Sequence, residues 1–159
     1  MSTTNQIAEL DSLDFSILNY LQKDGRMSYT IIAEELDVSV GTVRSRVNRL
    51  LDEKVLDIVG RISREKVGFK CYSQVGIFIR PASLKDQVAK DLVRMKEVCF
   101  LVGTSGEYDL QADIICKDNE QLIEFVNRIS KIEGIYQTKT TLYFEVYKST
   151  EPNLTLVQE

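Results

Sequence analysis

The stretch SYTIIAEELDVSVGTVRSRVNRLL, residues 28–51, reads as two short helices joined by a tight turn. Ser28 is a good N-cap, because its hydroxyl accepts a hydrogen bond from a backbone N–H that the first helical turn leaves free. Ile32, Ala33 and Leu36 follow at helical spacing and form an inward stripe. Ala33 is small enough to let a second helix cross closely. The chain reverses at Leu36-Asp37-Val38, where Asp37 tolerates the left-handed backbone better than most residues with a side chain. Ser39 then caps a second helix, with Val40, Val43, Val47 and Leu50 on its apolar face.

The opposite face of that helix carries different chemistry. At about 100° per residue, Gly41, Thr42, Ser45, Asn48 and Arg49 point away from the apolar stripe, and Arg44 and Arg46 flank it. No acid interrupts the arginines between Val38 and Leu51. Small polar residues at the start let the helix end enter a groove. Hydroxyls and guanidinium groups are the donors that read base edges and grip phosphates. A solvated basic helix would explain the arginines alone. The order of cap, small residue, turn and second cap, with matched apolar spacing, favours a helix-turn-helix.

A chain of 159 residues fits one or two small domains. Its 43% hydrophobic and 28% charged residues suit a soluble globular protein. The formal charge is −4, and the halves on either side of Gly68 share the excess acid equally. DNA contact must therefore come from a local patch, with strong salt dependence and a gain from presenting several copies. The segment MSTTNQIAEL lacks an apolar core, so no signal peptide is expected, and no apolar run reaches the length of a membrane span. Cys71, Cys99 and Cys116 match no metal or redox spacing and read as reduced, buried thiols of a cytoplasmic protein. Without any His, Ser-His-Asp chemistry, Cys-His dyads and most transition-metal sites are excluded. No catalytic residue, metal or cofactor is expected.

The pattern predicts an α+β chain. Residues 1–10 read as a flexible lead-in, 11–68 as a winged helix-turn-helix domain with its wing and linker, 69–150 as a ferredoxin-like domain, and 151–159 as a tail. A first helix begins at Asp11, with Leu10, Leu13, Ile17, Leu18 and Leu21 as its stripe and Gly25 as its stop. Phe15 and Tyr20 are either ordinary surface aromatics or contacts to a partner. VLDIVGRI, residues 55–62, reads as a strand or hairpin wing. Arg61, Arg64 and Lys66 there either touch phosphate or belong to a solvated linker. The second half predicts a strand over 72–80, a helix over 84–95 capped by Ser83, and strands over 98–104 and 108–116. A helix capped by Asp118 follows, with Gln121 at the capping-box position, and then a strand over 135–147. This β-α-β-β-α-β order is the split βαβ plan, with both helices on one sheet face. In the last strand Leu142, Phe144 and Val146 alternate with Thr141, Tyr143, Glu145 and Tyr147. Neither face is simply polar, which argues for self-association.

LDSLDFSILNYLQKDGR, the helix-turn-helix and the SGEYDL turn within a β-α-β-β-α-β domain together resemble the Lrp/AsnC ("feast/famine") family of transcription regulators, over roughly residues 11–148. The resemblance implies a winged DNA-binding domain and a ligand-sensing, oligomerising domain that regulates amino-acid metabolism. It also implies dimers formed through the sheets, often assembled to octamers, with amino-acid effectors bound between dimers. Two positions depart from the family pattern: Asp37 stands where Gly is common, and Lys54 where Gly often precedes the wing.

Carried over residue by residue, the resemblance assigns Ser39, Thr42, Ser45 and Arg46 to base or groove contacts. Arg44, Arg49 and Tyr29 become phosphate contacts. The turn Ser105-Gly106-Glu107-Tyr108-Asp109 becomes an effector site, with hydroxyls from Thr138 and Thr140. The same turn also reads as a plain hairpin, with Gly106 at the bend, Tyr108 in the core and Asp109 satisfying backbone amides. The expected partners are double-stranded DNA, a small effector such as an amino acid, and further copies of the chain. Competing readings are an architectural DNA-binding protein of low specificity and an assembly module that has lost DNA binding. Siroheme decarboxylases resemble the family in both domains, but their chemistry relies on His, which this chain lacks.

Overall fold

Each of the first three helices begins at a side-chain cap. In this computed structural model, which describes residues 8–157, Asp11 caps α1 (Ser12–Lys23) by accepting the Asp14 N–H at 2.9 Å. The Asp14 carboxylate reciprocates by accepting the Asp11 N–H at 3.1 Å. Ser28 caps α2 (Tyr29–Glu35) through the Thr30 N–H, and Ser39 caps α3 (Val40–Asp52) through the Thr42 N–H. Each cap is worth about 1 kcal/mol. The turn between α2 and α3 places Asp37 at φ 52°, and Lys54 after α3 sits at φ 56°. Both non-glycine residues thus occupy left-handed positions. Ile17, Leu18, Leu21, Ile32, Ala33, Val43, Val47 and Leu50 meet in one buried cluster, as the three stripes predict.

The chain divides into two units, Met1–Arg61 with Ser149–Glu159, and Ile62–Lys148. The first thus ends before the boundary expected at Gly68. It also takes in the expected tail. Leu154 packs against the helical cluster, Gln22 donates to the Pro152 carbonyl at 2.9 Å, and Arg61 donates to the Ser149 hydroxyl at 3.2 Å. Of the expected lead-in, residues 1–7 lie outside the described residues, and residues 8–10 have no regular structure.

Residues 53–70 carry no strand, so the wing expected over 55–62 is absent as a β element. Its β-branched residues find no pairing segment, and Val59 and Ile62 are exposed. Its start is anchored by the Val55 and Leu56 N–H groups donating to the Leu50 carbonyl.

In the second unit, β1 (Cys71–Ile79), α4 (Lys85–Val93), β2 (Val98–Gly103), β3 (Leu110–Cys116), α5 (Asn119–Ile129) and β4 (Ile135–Leu142) follow the expected order. The antiparallel sheet runs β2-β3-β1-β4. Alternate β1 residues Cys71, Val75, Ile77 and Ile79 bury against Val88 and Leu92 of α4 and Leu122, Phe125 and Ile129 of α5. Both helices therefore lie on one face. Ser83 does not cap α4, because a short 3-10 turn over Ala82–Leu84 precedes that helix and makes no side-chain cap bond. Asp118 does cap α5 through the Gln121 N–H, and Gly134 (φ 97°) turns the chain into β4.

The last strand stops at Leu142, short of the expected Tyr147. Its partner explains this: β1 begins at Cys71, and the final backbone bond is Tyr143 N–H to the Tyr72 carbonyl at 2.9 Å. No strand remains to pair with residues 144–147, and Phe144 and Tyr147 are exposed. Cys71 and Cys116 are buried as expected, whereas Cys99 is exposed. Among the described residues no helix is long and apolar enough to cross a membrane, and no acidic, Cys or His group forms a candidate metal site.

Candidate nucleic-acid interface and effector turn

The N-terminal turn of α3 presents a run of polar side chains. Ser39, Arg44, Ser45 and Asn48 are exposed, and Thr42 is half-buried. Ser39 accepts the Thr42 N–H at 3.0 Å, and the two hydroxyls share a 2.8 Å bond. One hydroxyl pair thus both starts the helix and leaves its tip polar. Gly41 adds no bulk there. Tyr29 is half-buried and packs against the helical cluster.

Arg46 and Arg49 are committed within the unit. Arg46 Nη1 lies 2.6 Å from Asp11 Oδ2 and 3.2 Å from Asp14 Oδ1, and Arg49 Nη2 also bonds Asp14. Asp14 is wholly buried, while Arg46 and Arg49 keep 30% and 37% of their side-chain surface. Two carboxylates and two guanidinium groups form a neutral cluster that pins α3 to the start of α1. The Asp14 N–H, followed by Arg46, holds the Asp11 carboxyl below its ordinary range. Bonds from Asp11 and then Asp14 push the Arg46 guanidinium up. Arg46, expected at bases, and Arg49, expected at phosphate, are thus both held in ion pairs to α1. Residue type and helical projection could not separate them from Arg44. The missed signal is the acid pair Asp11-x-x-Asp14, whose capping-box spacing aims both carboxylates at one helix end.

The turn over residues 104–109 is tied to β1. The Asp109 carboxylate accepts the Ile79 N–H at 2.7 Å, and the Asp109 N–H donates to the Ile77 carbonyl at 3.0 Å. The Thr104 hydroxyl donates to the Tyr108 carbonyl. The Tyr108 ring lies over Gly76 and meets Phe78 edge-on at 5.3 Å between centroids. Ser105, Gly106 and Glu107 remain exposed at the tip.

Thr138 and Thr140 do not join this turn. They sit opposite Ile77 and Val75 on β4, with β1 between them and β3. Lys139 takes that place instead, opposite Gly76, with Nζ 3.6 Å from Glu107 Oε2 and 5.9 Å from the centre of the Tyr108 ring. A further polar group lies on the sheet face away from the helices: Asp113 accepts the Tyr72 hydroxyl at 3.0 Å and the Tyr143 hydroxyl at 3.3 Å.

Residues 10–56 match the model of winged helix-turn-helix DNA-binding domains, and residues 74–153 match that of the Lrp/AsnC ligand-binding domain. An HTH-type transcriptional regulator of Pyrococcus horikoshii is 37% identical over 142 residues, covering 88% of this chain and 89% of that protein. The structure of E. coli AsnC superposes with a TM-score of 0.86 at 22% identity, over 91% of this chain and 99% of that one. A Neisseria meningitidis regulator solved in complex with L-Met superposes at 0.87 and 22% identity, over 94% and 99%. Helix-turn-helix, ligand-binding fold and order together define a DNA-binding transcription regulator with a sensing domain. The chain belongs to the Lrp/AsnC family.

Proposed function

We propose that the chain regulates amino-acid-related genes by docking the N-terminal end of α3 in the major groove, under the control of an amino acid bound at the 105–109 turn. Ser39, Thr42 and Ser45 face base edges, while Arg44 and Tyr29 take phosphates. Arg46 and Arg49 orient α3 instead of reading DNA. The observation that carries this reading is the exposed polar tip of α3, in a helix whose other two arginines are held by Asp11 and Asp14. Two copies joined through the sheet faces set a pair of α3 helices about 34 Å apart, matched to a partly palindromic site. Further assembly towards an octamer raises affinity without new contacts to DNA. This regulator works in the cytoplasm.

For the effector, exposed N–H groups at Ser105–Glu107 suit a carboxylate, and Glu107 suits an ammonium group once it parts from Lys139. The L-Met complex of the Neisseria relative makes L-methionine the first probe.

The test uses duplex sites selected by the protein from random DNA. Arg44→Ala should weaken binding to all sequences and flatten the salt dependence by about one unit of slope, as loss of a phosphate contact does. Ser45→Ala should relax sequence preference at one base pair. Unchanged affinity and slope in Arg44→Ala, with the oligomer intact, would remove Arg44 from the interface.

A further inference from the structure

We propose that Asp11 is a specificity-determining residue for DNA binding: by holding Arg46, it withholds a positive charge from the phosphate backbone. The inference rests on the reading of α3 as the DNA-binding helix and adds a restraint to it. Thr42, Arg46 and Arg49 lie at i, i+4 and i+7, a single ridge running down α3 from its polar tip. A guanidinium one turn below Thr42 is within reach of a duplex that meets that tip. It is instead turned to Asp11, at 2.6 Å, on the opening turn of α1.

The charge balance is the core of the argument. Asp11 and Asp14 offset Arg46 and Arg49, so the ridge is electrically neutral although two of the three α3 arginines stand on it. Asp14 is buried and shared between both guanidinium groups, whereas Asp11 is half exposed and serves Arg46 alone. Removing Asp11 leaves Asp14 with one charge for two cations, so a net positive charge appears on the ridge. That charge attracts any duplex, whatever its sequence, because phosphate contacts carry no base information. Asp11 thus lowers affinity for arbitrary DNA while Ser39, Thr42 and Ser45 still reach base edges.

The full-length chain carrying Asp11→Ser is the test, with Asp11→Asn as a second variant. Serine and asparagine both keep the N-cap, so α1 remains closed. Serine is also too short to reach Arg46. Binding is measured by titration of a random-sequence duplex and of a selected site across a salt series. Asp57→Asn is the control, an equal charge change at an exposed residue beyond α3. Asp11→Ser should steepen the log-affinity against log-salt slope for random DNA by about 0.9, the value for one added phosphate contact. It should bind random DNA roughly tenfold tighter at low salt and show a lower ratio of selected to random affinity. A slope and ratio equal to those of Asp57→Asn overturn the proposal. If the wild-type chain itself shows no salt-dependent duplex binding, the fault lies with the reading of α3, and the role of Asp11 falls with it.

Discussion

Asp14→Ala will destabilise the helical unit by about 3 kcal/mol, the lower end of what removing one partner of a buried ion pair costs. The side chain is completely buried and meets three partners: the Asp11 N–H, Arg46 and Arg49. Alanine removes the reciprocal half of the capping box and leaves two guanidinium groups with only Asp11 to oppose them. Their partial exposure lets water recover some of the loss, which sets the estimate at the low end. Because α1 and α3 are pinned at this point, selected-site binding should fall with stability. Urea unfolding of the full chain, followed by amide exchange in α1 and α3, gives the shift. Asp14→Asn, which keeps an acceptor but no charge, should lose less. A change within about 0.5 kcal/mol, as for an ordinary surface substitution, would mean that the cluster does not hold the helices together.

The second large effect lies in the other unit. Gly76→Val will cost about 2 kcal/mol through overpacking and will displace the 105–109 turn. A Cβ at residue 76 would stand 2.5 Å from Tyr108 Cδ1 and 2.7 Å from Cγ. These atoms are near the root of the side chain, so the ring cannot clear the clash by moving its tip. Tyr108 must leave its seat against Phe78, and Glu107 moves with it. The variant should therefore lose stability in the sheet unit and lose any L-methionine-induced thermal shift seen in wild type. Retention of both would show that the ring yields freely and that the turn is insensitive to its seat.

These residues also show where sequence reading succeeds. Caps at Ser28, Ser39 and Asp118 are local, depending on one side chain and an N–H two or three residues ahead, so spacing alone exposes them. Asp37 in the left-handed region is equally local. The Asp14–Arg49 pair spans 35 positions, and nothing in either helix alone reveals it. β-Branched residues made 55–62 look like a strand and alternation made 143–147 look like one, but a strand needs a neighbour: 55–62 has none, and 143–147 outruns β1, which begins at Cys71.

Thr138 stands away from the Tyr108 face because of the strand register. The register shifts between Phe78 and Ile79, whose partners are Gln137 and Ile135. Tyr136 is the extra residue. A one-residue slip reverses which side chains face each side. Without the bulge Thr138 would stand opposite Gly76 and share the face of Tyr108; with it, Lys139 does.

The central claim is that the opening turn of α3 is the part of this chain that meets bases. Amide hydrogen exchange of the full-length protein, with and without a duplex selected from random DNA, tests it directly. The expected result is slowed exchange concentrated over residues 39–45, with β1–β4 unchanged at equal oligomeric state. Protection confined to another surface, with residues 39–45 exchanging as freely as in the unbound protein, would contradict it.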